Sequence, residues 1–187
     1  MLIFASAIKV SSNMDPENNE ILPVVDESGR VTGSAPRHEF HFNNEKKMLH
    51  PVVHLHFLSP SGELFLQDRP AHKKVQPEKW DTAVGGHVSF GENTEEALER
   101  ETAEEIGLKP AGSRFLRKYI WETEAERELV YLYVLVSAEQ PIPDEKELSG
   151  GKFWELQEME KNIGKNIFTP NLEHEINILK EEGILQI

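Results

Sequence analysis

Seven of the fourteen residues from Glu92 to Glu105 are glutamates, in a chain whose formal net charge is already −13. If this stretch is a helix, positions three and four apart share a face, since each residue turns the chain by about 100°. Glu101 and Glu105 then fall in the apolar stripe of the helix, with Glu104 at its margin. The remaining helical glutamates fall on the solvated side, and these are Glu95, Glu96 and Glu99.

Carboxylates turned toward a protein interior repel one another and lose hydration, which is costly unless a cation compensates. Arg100 precedes Glu104 by four residues and adjoins Glu101, so it can neutralise one of the three charges. A divalent cation would balance the rest. Carboxylate oxygens are the hard ligands that Mg²⁺ and Mn²⁺ prefer, and Mg²⁺ completes its shell with water and substrate phosphate. The pattern therefore predicts a Mg²⁺ or Mn²⁺ site that serves phosphate chemistry.

The residues around the acidic stretch predict the elements that would position it. Asn93 or Thr94 can cap a helix that runs to Glu105, and Gly107 suits the helix C-terminus. Gly85 and Gly86 end an apolar stretch and allow a sharp turn with close backbone approach. The segment is therefore predicted as strand, loop, helix and loop.

This segment resembles the signature box of the Nudix hydrolases. Five residues separate Gly86 from Glu92, seven separate Glu92 from Arg100, and the sequence RETAEEIGL follows. Thr102 stands where the family usually has a bulky aliphatic residue, which weakens packing there and leaves the metal ligands intact. The resemblance implies an α/β/α sandwich and metal-dependent hydrolysis of a diphosphate linked to another group. It implies the metal ligands Glu101, Glu104, Glu105, the Gly86 carbonyl and Glu92.

Catalytic roles within the box are assigned only in part. A divalent cation would offset the charge that develops in phosphoryl transfer and would activate water, and one acid must take a proton. Glu105 and Glu101 are both candidates for that base, and the sequence leaves the choice open. Arg100 is expected to orient and partly neutralise the acidic cluster.

Composition limits the class of protein. A length of 187 residues suits one domain, and 33 acidic against 20 basic residues argue against a nucleic-acid polymer as partner. With no cysteine there is no disulfide framework or thiolate site, which favours a reducing compartment, and we expect the cytoplasm. The apolar start MLIFASAIKV lacks a basic region and is short for a membrane span. We therefore expect residues 1–20 to be an extension or a first strand, with no membrane association.

Runs rich in β-branched and aromatic residues predict strands throughout residues 21–187. ILPVVD and RVTGSA form a predicted hairpin, as do HPVVHLHFL and ELFLQDR, and SRFLRKYIWE, ELVYLYVLVSA and KFWEL follow the acidic helix. A C-terminal helix is predicted to begin at Thr169 and Pro170 and to end at Gly183. Its apolar face holds Leu172, Ile176 and Leu179. Strands surrounded by helices predict a single α/β domain with a mixed sheet.

Outside the box, the chain resembles isopentenyl-diphosphate isomerase, which shares the fold and binds a metal through three histidines and two glutamates. Imidazole and carboxylate together suit Mn²⁺ or Zn²⁺. The alternative is that His41 and His50 are ordinary surface or loop histidines and that Glu126 and Glu128 lie on a solvated strand face. By this resemblance the second metal site would comprise His41, His50, His87, Glu126 and Glu128. His54 and His56, two apart on a predicted strand, are expected to form a solvent-exposed face.

Isomerase activity is disfavoured because the catalytic cysteine of that family corresponds to Gly85, which has no side chain. By the same resemblance, Arg69 and Lys73 match diphosphate contacts, Lys74 is expected to share that role, and Trp80 either borders the substrate or packs in the core. The predicted partner is a small diphosphate substrate, and a homodimer stays open. The alternatives to hydrolysis are isomerisation and a module that senses a nucleotide or sugar diphosphate without turnover.

Overall fold

The computed structural model describes residues 20–41 and 47–185. A short 3₁₀ turn spans Arg37–Glu39. The strands are β1 (Ile21–Val25), β2 (Val31–Pro36), β3 (Leu49–Leu58), β4 (Leu64–Asp68), β5 (Trp80–Asp81), β6 (Val84–His87), β7 (Arg114–Glu122), β8 (Arg127–Val136) and β9 (Gly150–Trp154). The helices are α1 (Thr94–Ile106), α2 (Leu156–Asn162) and α3 (Pro170–Glu181).

The central sheet has seven strands and mixed direction. Its main path runs β5-β4-β3-β8-β7, while β6 also pairs with β3 and β9 also pairs with β4. β3 and β8 pair in parallel along their whole length, whereas the other pairs in this sheet are antiparallel. β1 and β2 form a separate hairpin. The predicted mixed sheet is confirmed.

Both faces of β3 are covered, so the strand lies in the middle layer of an α/β/α sandwich. Its odd-numbered residues, among them Val53 and Leu55, pack in one core with Ala97 and Leu98 of α1. A second core contains Leu58 together with apolar residues of α2 and α3. The even-numbered positions of β3 therefore face α3, and this orientation determines where His54 and His56 lie.

The acidic helix α1 begins and ends as predicted. The Asn93 side chain accepts hydrogen bonds from the backbone N–H groups of Glu95 and Glu96, and Glu96 bonds back to the Asn93 N–H. Gly107 ends the helix in the left-handed region, at φ 68°. The buried Thr102 donates its hydroxyl proton to the Leu98 carbonyl at 2.6 Å. This bond satisfies the polar atom that replaces an aliphatic side chain.

The other predicted elements are found with small shifts of boundary. Both hairpins form, and α3 begins behind a Thr169 side chain that caps the Leu172 N–H. α2 and the two-residue strand β5 were not predicted, and Gly85 and Gly86 lie inside β6 rather than in a turn after it. The prediction for residues 1–20 falls almost wholly outside the described part of the chain. Within residues 20–41 and 47–185, no helix is both long enough and apolar enough to cross a membrane.

Candidate active site

A pocket of about 880 Å³ opens beside β6, between α1, the loop that follows β4 and the start of α3. Three groups of predicted residues line it: acids of α1, the histidines His41 and His87, and cations of the loop between β4 and β5. The two glycines of β6 line it as well. Most of the predicted site therefore converges on one cavity.

The Glu101 carboxylate lies in space that only a glycine at position 86 leaves free. A Cβ atom placed on Gly86 would overlap the carboxyl group of Glu101. Burial raises the pKa of Glu101 against the opposing charge of Arg100. Gly86 therefore permits a carboxylate to rest directly on the backbone of β6.

Glu105 lies one turn further along α1 and contacts the neighbouring glycine. The Gly85 N–H donates to Oε2 of Glu105 at 3.0 Å, and Nε2 of Gln67 donates to the same oxygen at 3.4 Å. Burial, followed by the charge of Glu101, raises the pKa of Glu105 to about 8. The protein surroundings of Glu105 therefore compensate its negative charge only in part.

Arg100 connects the helix to the loop that precedes it. Its Nε and Nη2 atoms donate to the two carboxylate oxygens of Glu92, both at 2.9 Å, and Nη2 also donates to the His87 carbonyl. Nη1 donates to Glu101 at 2.7 Å and to Glu104 at 3.2 Å. Hydrogen bonding to Glu92 is the main reason that the pKa of Arg100 is raised. Arg100 thus orients the acidic cluster.

The remaining members of the predicted metal set differ in their surroundings. Both oxygens of Glu92 contact Arg100, and one of them also accepts the Ser89 N–H at 3.0 Å. The Glu104 side chain is 57% exposed and borders the pocket. Glu101, Glu105 and Glu104 therefore present carboxylate oxygens toward the cavity, whereas Glu92 holds Arg100.

The structure brings together the five residues of the predicted second metal site. One ring nitrogen from each of His41, His50 and His87 lies within 4.8 Å of the other two. Nδ1 of His41 is 2.9 Å from Glu126, although the pair lacks hydrogen-bond geometry, and Nε2 of His50 is 3.9 Å from Glu128. Glu128 of β8 lies directly across from His50 of β3 in the parallel pairing of these strands.

Two of these imidazoles, those of His50 and His87, are held in the neutral form that binds metals. Burial, reinforced by the neighbouring His41, lowers the pKa of His50 to about 4, and burial lowers the pKa of His87 as well. Both rings are therefore neutral at pH 7. Both nitrogens of His50 and Nε2 of His87 are buried without a hydrogen-bond partner among the described residues. Unpaired buried nitrogens that converge on one point are unusual unless a ligand satisfies them.

The predicted substrate contacts divide into two groups. Arg69, Lys73 and Lys74 line the pocket. The Arg69 guanidinium donates to Asp81 at 3.0 Å and to two carbonyls of its own loop, and Lys73 lies 3.4 Å from Glu147. Trp80 instead packs in the core, with its ring 5.2 Å from that of Trp154, and it is not among the described residues that line the pocket. Of the two roles considered for Trp80, the structure supports packing.

The expectation that His54 and His56 face solvent is wrong. The His56 side chain is fully buried and that of His54 is 12% exposed, because α3 covers this face of β3. Both rings contact the fully buried Glu175 of α3, which the sequence analysis did not identify. Glu175 follows Leu172 by three residues and precedes Leu179 by four, so it lies in the apolar stripe of α3. The signal that identified Glu101 was therefore present here too.

Comparison with known proteins places the chain in a family. The NUDIX domain model matches residues 48–172. An uncharacterised Nudix hydrolase of Streptomyces coelicolor is 32% identical over 157 residues, which cover 82% of this chain and 84% of that protein. An isopentenyl-diphosphate Delta-isomerase of Kocuria rhizophila is 30% identical over 149 residues, covering 75% and 78%. The crystal structure of a Deinococcus radiodurans protein has a TM-score of 0.68 at 24% identity, and covers 84% of this chain and 97% of that one.

The fold and the α1 cluster, which comprises Glu101, Glu104 and Glu105, define an enzyme that acts on pyrophosphate bonds. The chain belongs to the Nudix family, and it is a Nudix hydrolase with similarity to isopentenyl-diphosphate isomerases. The resemblance inferred from the signature box is confirmed, as are the α/β/α sandwich and the hydrolase class.

Replacing Gly86 by alanine tests whether the position of the Glu101 carboxylate limits activity. We expect the added Cβ to displace the flexible Glu101 side chain, so that turnover falls by more than about tenfold. The temperature of thermal unfolding should change little. Gly33→Ala is the matched control, since the nearest atom to its new Cβ would be Val24 at 3.9 Å. Hydrolysis rates and thermal unfolding of the three proteins provide the comparison. Full activity of Gly86→Ala would contradict the assigned geometry.

Proposed function

We propose that this Nudix hydrolase uses Mg²⁺ or Mn²⁺ to cleave the diphosphate linkage of a small phosphorylated metabolite, such as a nucleoside diphosphate joined to another group. The observation that carries the proposal is the pair of largely buried carboxylates, Glu101 and Glu105, held against the two glycines of β6. Similar pairs of buried like charges are unfavourable without a compensating cation. Arg100 offsets this charge only in part, since it also contacts Glu92 and Glu104.

The residues present fit a hard divalent cation. Glu101, Glu104 and Glu105 offer carboxylate oxygens, which Mg²⁺ and Mn²⁺ prefer, and the bare backbone at Gly86 gives access to a carbonyl. We propose Glu101, Glu104, Glu105 and the Gly86 carbonyl as the ligands. Glu92 is a weaker candidate because Arg100 contacts both of its oxygens. When bound, the cation would neutralise phosphate charge and lower the pKa of water.

The chain itself would orient the substrate and move the proton. The donors to Glu105 among the described residues are neutral, the Gly85 N–H and the Gln67 amide, whereas the charged Arg100 donates to Glu101 at 2.7 Å, so Glu105 is the better acceptor for a proton of the attacking water. We therefore favour Glu105 over Glu101 as the general base. Arg100 keeps Glu101 and Glu104 in place, and the β4–β5 loop presents Arg69, Lys73 and Lys74 to the phosphate groups.

We propose in addition that the five-residue cluster of His41, His50, His87, Glu126 and Glu128 binds a second ion, with Mn²⁺ or Zn²⁺ as the candidates. The converging buried nitrogens without partners support this proposal. Residues of both clusters line the same pocket, so an ion here would share the cavity with the α1 carboxylates. A substrate phosphate could then contact both sites in the same pocket.

Isomerisation is the alternative suggested by the relatives named isopentenyl-diphosphate Delta-isomerase. Gly85 offers no side chain for proton transfer, whereas the α1 acids that suit hydrolysis are all present. Incubating the enzyme with isopentenyl diphosphate and with a panel of nucleotide, sugar and coenzyme diphosphates separates the possibilities. Phosphate-bond cleavage supports the proposal, and an allylic product without cleavage rejects it. Ligand binding without any turnover would indicate a sensing module.

Glu101→Gln tests the α1 cluster directly. The substitution retains the shape and removes the charge, so we expect turnover of the best panel substrate to fall by at least about 100-fold with Mg²⁺ or Mn²⁺. Glu99→Gln removes a charge from the exposed face of the same helix and should leave the rate within about twofold. Equal loss in both variants, or none in Glu101→Gln, would refute the assignment.

Metal content tests the second site without an activity assay. Protein dialysed against Mn²⁺ or Zn²⁺ and then against buffer is analysed by mass spectrometry for ions retained per chain. We expect His41→Asn to retain at least about tenfold less ion than the unmodified protein. His174→Asn, which changes an exposed histidine of α3 outside this pocket, should retain the full amount. The cluster is not a metal site if His41→Asn retains as much ion as the control.

A further inference from the structure

His54 occupies the side of β6 opposite the α1 carboxylates. In the pairing of β3 with β6, His54 faces Gly85 across the strands. A Cβ on Gly85 would lie 3.5 Å from both Cδ2 and Nε2 of His54, so the missing side chain leaves room for the imidazole edge. The N–H of the same glycine binds Glu105. One backbone residue therefore separates His54 from Glu105, the proposed general base, and both residues line the pocket.

Glu175 fixes the orientation of the His54 ring. Nδ1 of His54 is 2.7 Å from Oε1 of Glu175. Because an ionised carboxylate only accepts hydrogen bonds, Nδ1 must carry a proton. Glu175 is itself held by Nε2 of His56 at 2.8 Å and by the Tyr119 hydroxyl at 2.6 Å. The ring is thus fixed with Nε2 as the nitrogen left for another partner.

The pKa shifts of His54 and Glu175 make His54 a charged hydrogen-bond donor. Burial lowers the pKa of His54, but the charge and hydrogen bond of Glu175 outweigh it and raise the pKa to about 9. Burial opposes ionisation of Glu175, yet His54 and His56 hold its pKa well below the usual range. At neutral pH, His54 therefore carries protons on both nitrogens while Glu175 is ionised.

A comparison with His56 shows that the arrangement serves more than packing. The two histidines lie on the same strand and contact the same carboxylate. His56 is enclosed, with Nε2 on Glu175 and Nδ1 3.5 Å from the Thr82 hydroxyl. Nε2 of His54 has no hydrogen bond to a described residue, and its side chain borders the cavity. A structural ion pair has no need of this second, cavity-facing donor.

We propose that His54 is a substrate-binding residue whose Nε2–H donates a charged hydrogen bond to a phosphoryl oxygen of the diphosphate, and that Glu175 is its positioning residue. The proposal rests on the proposed diphosphate hydrolase function. It gives the pocket a phosphate donor on the α3 side of the sheet, in addition to the cations of the β4–β5 loop. Charge-assisted hydrogen bonds of this kind are among the stronger contacts to phosphate.

The test uses methylenediphosphonate, a diphosphate analogue that resists hydrolysis, with Mg²⁺ and the full chain. We expect calorimetry to show that His54→Gln weakens binding at least about tenfold, consistent with loss of a charged hydrogen bond. His174→Gln, the same change on the exposed side of α3, should bind as the unmodified protein does. With the best hydrolysed substrate, His54→Gln should raise KM more than it lowers kcat.

Nuclear magnetic resonance of the unmodified protein removes any dependence on how the variants fold. In protein with ¹⁵N-labelled histidine, the analogue should shift the Nε2 resonance of His54 and leave that of His56 nearly unchanged. Glu175→Gln tests positioning: it should abolish the strongly deshielded Nδ1 proton of His54 and weaken binding. A folded Glu175→Gln protein with unchanged binding would overturn the positioning role.

The outcomes separate this inference from the proposed function. If the unmodified protein binds the analogue and hydrolyses diphosphates, but His54→Gln binds equally well and Nε2 does not shift, the His54 proposal alone is wrong. If the unmodified protein neither binds the analogue nor hydrolyses any diphosphate of the panel, both proposals fail. Weakened binding together with the Nε2 shift supports both.

Discussion

The site depends on two largely buried carboxylates that pack against the two glycines of β6. Glu101 and Glu105 lie on the inward stripe of α1, where an ordinary amphipathic helix places apolar residues. The Gly85 N–H donates a hydrogen bond to Glu105. The absence of a side chain at Gly86 leaves space for the Glu101 carboxylate. The remaining repulsion is the physical basis for the cation site that we propose. Arg100 limits that repulsion while fixing the geometry.

The same arrangement of charge on an apolar stripe occurs on both sides of the sheet. On the α1 side it leaves carboxylates only partly compensated, which suits a metal and an anionic substrate. On the α3 side, two histidines and a tyrosine hydrogen-bond to Glu175. The carboxylates of α1 can therefore bind a further ligand, whereas Glu175 holds the His54 imidazole at the border of the pocket. Gly85 contacts Glu105 through its N–H and lies next to His54, so it connects the two sides of the proposed site.

The sequence predicted the elements whose signals are local. Asn93, Glu96 and Gly107 define the ends of α1 through contacts within a few residues, and the spacing of Glu101 and Glu105 shows their inward orientation. His54 and His56 were assigned wrongly because alternation along a strand does not reveal whether its second face is covered. That depends on α3, more than a hundred residues away. The role of Trp80 likewise depended on a distant partner, Trp154.

The central claim is that the inward carboxylates of α1 hold a divalent cation. Crystals of the unmodified protein soaked in Mn²⁺ test it most directly, because anomalous scattering locates the ion without reference to activity. The account predicts an anomalous peak within about 2.5 Å of carboxylate oxygens of Glu101 and Glu105, and its loss in Glu101→Gln crystals. Well-ordered Glu101 and Glu105 side chains with no anomalous peak beside them, at saturating Mn²⁺, would contradict the account.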